Sequence, residues 1–84
     1  MKAKILTNDP SLIVMFRLGS IEGNLVTNSD EAYNTFRASL KEDELAVLII
    51  TKTINSWIEQ EVKTHRESEN APLIVVIDGL CGGR

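Results

Sequence analysis

The most constraining feature is Leu45 to Ile50, LAVLII, an unbroken apolar run of strand length rich in branched residues. A strand with one wet face alternates apolar and polar residues, whereas a parallel strand covered on both faces reads as a continuous run. A second run of this kind, LIVVI at 73–77, follows Pro72, and a shorter one, AKIL, opens the chain near residue 3. Such strands cannot be joined by tight hairpins, because parallel neighbours need crossover connections of a dozen or more residues. The intervening segments supply them. Strands are expected at 3–7, 24–27, 45–50 and 73–77, the second being weak and bounded by Gly23 and Asn28-Ser29.

Between the first two strands, Asp9 or Asn8 is a capping residue, Pro10 suits the first helical turn and Gly19 suits a left-handed stop, which predicts a helix over 10–18. After Ser29 and Asp30, the four-residue spacing of Ala32, Phe36 and Leu40 predicts an amphipathic helix with Glu31, Asn34, Arg37 and Lys41 facing away. Thr51 and Thr53 open a third helix, with Ile54, Trp57, Ile58 and Val62 on one stripe, ending in the polar run 65–70.

The expectation is an α/β fold, a four-stranded parallel sheet in the order 2-1-3-4 with three crossover helices, Rossmann-like or flavodoxin-like in outline. Residues 1–78 form a single α/β domain, and the glycine-rich 79–84 is expected to be a mobile tail. Right-handed crossovers place the first helix alone on one face and the other two on the opposite face. One helix cannot cover four strands. Part of the third and fourth strands should therefore be bare and mark an interaction site. The fourth strand should also present an edge able to pair with another chain.

Composition narrows the function classes. A length of 84 residues suits one small domain, and the net charge of −3 gives no positive field for a nucleic-acid backbone. One cysteine and one histidine exclude an internal disulfide and a Cys/His metal cluster. No apolar run approaches the roughly 18 residues of a membrane span, so no direct membrane insertion is expected. A cytoplasmic setting fits.

Ligands of open α/β sheets bind beyond the carboxyl ends of the strands, here Thr7 to Ser11, Thr27 to Asp30, Thr51 to Thr53 and Asp78-Gly79. The first loop has free helix N–H groups for an anion, yet Asp9 would repel a phosphate. Neither G-x-G-x-x-G nor G-x-x-x-x-G-K-[ST] occurs in the chain. A phosphorelay receiver needs an aspartate after the third strand, where Thr51 stands, and a fifth strand. His65 reads as a surface residue at a helix C-terminus, Cys81 as an unactivated thiol and Trp57 as core. No catalytic constellation and no cofactor site emerge, which favours a binding or structural role.

The first helix is apolar nearly all round, LIVMFRL at 12–18. An ordinary surface helix has one apolar stripe, so Met15, with Arg17 beside it, is expected at a protein interface while Leu12, Ile13 or Phe16 fill the core. From the fourth strand, Leu73, Val75, Val76 and Ile77 join them as candidate partner-binding residues.

Three segments together carry a family resemblance: MFRLG at 15–19, LAVLIITKTINSWI at 45–58 and PLIVVID at 72–78. They resemble the F subunit of V-type and archaeal-type rotary ATPases, with its G-F-R-L-A-G motif, its apolar third strand running into I-T-x-x-I-A-x-x-I, and its final P-x-I-V-x-I-P strand. Met15, Ser20 and Asp78 depart from the family's usual residues. The resemblance implies a non-catalytic subunit of the central stalk (rotor), bound to the D-subunit shaft, with the catalytic head as a further candidate partner. It further implies a peripheral place in a membrane-bound complex that drives ion transport, of protons for instance, or ATP synthesis. Self-association is the expectation for the isolated chain. F subunits continue past the last strand into a further helix, whereas this sequence stops at Arg84, so regulation by that helix is not carried over. The contrasting expectation, from the residues alone, is a free-standing regulatory module binding a small anion at the strand ends.

Overall fold

The computed structural model describes residues 2–68 and 72–78. The expected mobile tail, 79–84, lies outside them. The elements run β1 (Lys2–Thr7), α1 (Pro10–Leu18), β2 (Glu22–Leu25), α2 (Ser29–Leu40), β3 (Leu45–Thr51), α3 (Lys52–Trp57), α4 (Glu59–Ser68) and β4 (Leu73–Ile77). All strand pairs are parallel, in the order β2-β1-β3-β4. This is the α/β sheet that the apolar runs predict.

Side chains alternate across the sheet, and the register sorts them. Leu6, Ile50 and Val76 stand in line across β1, β3 and β4 on one face, and Ile5, Ile49 and Val75 on the other. The main core lies on the first face. There Leu6, Leu48, Ile50 and Ile74 pack against Ala32 and Phe36 of α2, Ile54 of α3, Ile58 and Val62 of α4. On the second face α1 packs chiefly over β2 and β1.

Three local features differ from the sequence reading. First, β2 begins at Glu22, so Gly23 lies inside the strand instead of bounding it. A Cβ at Gly23 would fall 2.6 Å from Ile13 Cδ1 and 3.1 Å from Ile5 Cγ2. The bare backbone is what lets α1 settle onto this edge of the sheet.

Second, the left-handed residue ending α1 is Ser20, at φ 67°, while Gly19 has φ −96°. Ile21 N–H donates to Phe16 O at 2.9 Å and Ser20 N–H to Arg17 O at 2.9 Å. This is the Schellman pattern with Ser20 in the place that glycine usually fills. The glycine stands one residue too early to relieve it.

Third, the third crossover is two helices. The chain bends at Ile58, with φ −128° and ψ 33°. The hydrogen bonding carries through the bend, from Ile58 N–H to Ile54 O and from Val62 N–H to Ile58 O. Ile54, Ile58 and Val62 are all buried. On a straight helix each four-residue step overshoots a full turn by about 40°, so residue 62 would sit about 80° around from residue 54. That spread fits within an ordinary apolar stripe, and with the bend at Ile58 all three side chains are buried. Just before the bend, the Ser56 hydroxyl donates to Thr53 O at 2.6 Å.

Candidate interaction surface

The part of the sheet that α1 leaves uncovered lies over β3 and β4. Alternation puts Val47 and Ile49 of β3 and Leu73, Val75 and Ile77 of β4 on that face. All but Leu73 are half-buried, and Leu73 is 64% exposed. These five branched side chains stand beside one another, and among the described residues no helix packs mainly over them.

α1 borders this patch. Its buried anchor is Leu12, with Ile13 and Phe16 half-buried, while Val14, Met15 and Leu18 are 60%, 51% and 84% exposed. At about 100° per residue, Met15 flanks the helix on the Leu12 side and Arg17 on the Ile13 side. Ile13 lies over Gly23 of β2, so the Leu12 side, with Met15, faces β3. Met15 thus stands at the boundary between the helix and the bare strands. Arg17 instead lines a shallow groove with Ser20, Ile21, Glu22, Gly23 and Asn24 at the β2 edge.

The sequence-predicted partner residues therefore separate. Met15, Leu73, Val75 and Ile77 share one surface. Arg17 is on the far flank of α1, and Val76 points to the opposite face, where it packs against the main core. Two residues of the same surface, Val47 and Ile49, were not singled out by the sequence reading. The signal for them is parity. Residues 47 and 49 pair with 73 and 75, and among the described residues only the first helix lies on that face.

The carboxyl ends of the strands form the rim. Thr7 Oγ1 accepts from Asp9 N–H at 3.0 Å, and Asp9 Oδ1 accepts from Ser11 N–H at 2.9 Å. The carboxylate of Asp9 thus occupies the start of α1 where an anion would have to sit. Lys52, the nearest cation in sequence to these loops, pairs with Asp78 at 2.9 Å. Thr51 Oγ1 is buried with no partner among the described residues, but an uncharged hydroxyl alone does not make an anion site. Among the described residues no group of three or more His, Cys, Asp or Glu is placed to hold a metal.

On the other face, His65 is half-buried instead of free on the surface. Its Nε2 lies 2.7 Å from Pro72 O, and its ring meets Phe36 edge-on at a centroid distance of 6.4 Å. A carbonyl only accepts, so the ring carries a proton on Nε2. Trp57 is half-buried against the core cluster. Among the described residues no helix is long and apolar enough to cross a membrane.

An apolar face of this kind, with charged groups at its rim, is the sort of surface that marks interaction sites in proteins generally. The family model of the ATP synthase (F/14-kDa) subunit matches residues 5–83. No curated protein matches the chain.

Proposed function

Since the chain belongs to the ATP synthase (F/14-kDa) subunit family, we propose that it is a non-catalytic subunit of the central stalk of a V-type or archaeal-type rotary ATPase. Its place is peripheral to the membrane, and its role is to bind the D-subunit shaft and support ATP-driven ion transport or ATP synthesis. The observation that carries this reading is the bare apolar face over β3 and β4, bordered by Met15. In a free module that surface would remain in water. Against a shaft it is buried.

The absence of a phosphate-loop motif from the sequence supports a non-catalytic role. Purified alone, the chain is expected to hydrolyse no ATP, and calorimetry should show no tight ATP binding. Docking is tested by capture on immobilised D subunit, comparing the wild type with Ile49→Lys and Val75→Lys. A charge buried at the centre of an interface costs on the order of 2 kcal/mol or more, so capture should weaken at least about tenfold. Glu67→Lys, at an exposed position on α4, serves as the control. Unchanged capture by folded Ile49→Lys and Val75→Lys would overturn this placement of the interface.

A further inference from the structure

The two edges of the sheet are managed differently. β2 has four residues and carries Glu22, Gly23 and Asn24, which make a poor template for another strand. β4 reads Leu73-Ile74-Val75-Val76-Ile77, with no lysine, proline or glycine inside it, and no further strand lies beyond it among the described residues. By its own sequence it is an open invitation to pairing. The protection comes from α4. His65 Nε2 meets Pro72 O at 2.7 Å, and the Arg66 guanidinium donates to Ile74 O at 3.2 Å.

Along a strand, backbone groups point alternately to one neighbour and to the other. Pro72 and Ile74 share parity, so the two carbonyls taken by α4 are those that point away from β3. Pro72 has no N–H to offer. What remains outward is the Ile74 N–H and both groups of Val76.

We propose that the outer edge of β4 is a latent strand-docking site whose natural occupant is the β4 of a second copy, and that His65 and Arg66 hold it shut. The second copy is the fitting occupant because an apolar strand of this kind is self-complementary when it pairs antiparallel across a two-fold axis. With two outward acceptors already filled, such pairing loses half its ladder. Docking of other proteins is thereby directed to the face of the sheet and away from its edge. This inference is independent of which protein covers that face.

The test uses the full chain. His65→Ala/Arg66→Ala should raise self-association measured by sedimentation at least about tenfold over the wild type, and the Ile74 and Val76 amides should exchange with solvent more slowly as concentration rises. His65→Gln/Arg66→Lys returns a donor to each carbonyl and should restore wild-type behaviour. Arg66→Ala alone, at an exposed position, gives the same readout should the double variant fail to fold. The proposal is overturned by an alanine variant that sediments like the wild type. Association as strong in the Gln/Lys variant as in the alanine variant overturns it equally.

Discussion

At Ser20 a non-glycine residue holds a left-handed conformation that costs L-residues roughly 1–2 kcal/mol, and it does so because the helix stop needs that conformation at that position. Ser20→Gly is expected to raise stability by about 0.5–1 kcal/mol, seen as a higher midpoint in urea with an unchanged slope. Gly23 works in the opposite sense. Gly23→Ala puts a methyl within 2.6 Å of Ile13, and overpacking of this kind costs about 1–3 kcal/mol. The same midpoint measurement should move down. Both residues show what a one-dimensional reading misses: Gly19 looked like the helix stop and Gly23 like a strand boundary. Which glycine serves which end was decided by a hydrogen-bond pattern and a close approach, neither of which leaves a trace in composition.

Glu31 is a third single-residue case. Asn28 Oδ1 accepts from Glu31 N–H, and the Glu31 carboxylate accepts from the Thr27 backbone N–H at 2.8 Å and the Thr27 hydroxyl at 2.9 Å. The backbone hydrogen bond, then that of the hydroxyl, holds its pKa below the usual carboxylate value. A lowered folded-state pKa contributes stability that is present above the unfolded-state pKa and is lost as pH falls through the folded one. Denaturation midpoints followed from about pH 7 to about pH 2 should therefore drop less steeply in Glu31→Gln than in the wild type.

At the scale of elements, the sheet was legible because buried strands declare themselves as apolar runs, and the first helix because its cap and its proline stand side by side. The third crossover was less so. A stripe at four-residue spacing predicts one helix, and the bend at Ile58 divides it while Ile54, Ile58 and Val62 all stay buried. Phe36 is the central piece of that core, buried on α2 and in edge-on contact with His65 of α4. Phe36→Ala is expected to cost about 3–5 kcal/mol. In a domain with roughly 5–15 kcal/mol to spend, thermal unfolding followed by circular dichroism should show the transition far lower or absent. Arg66 is a different matter, since nothing in a polar run tells which cation reaches across to a strand carbonyl.

For the whole molecule, the decisive feature is unequal cover: two helical crossovers on one face of four strands, one on the other. That asymmetry follows from strand order and crossover hand, which is why the bare region over β3 and β4 could be expected from the chain alone. What the sequence concealed was parity within each strand. Val75 and Val76 look equivalent in a run of branched residues, yet one is on the bare face and the other in the main core. Val75→Asp and Val76→Asp should part accordingly. The first is expected to leave the thermal transition within a few degrees of the wild type. The second, placing a carboxylate against the core cluster, should lower it far more, as differential scanning would record.

Unequal cover also bears on what becomes of a copy that has not yet found its place. With a partner over β3 and β4, as proposed, such a chain would show a quality-control system no continuous strip of sheet. Left over from unbalanced synthesis, it displays a branched aliphatic strip of the kind that holdases and proteases bind. If the proposed docking holds, the same surface would make a surplus copy conspicuous, and stoichiometry could be policed through it.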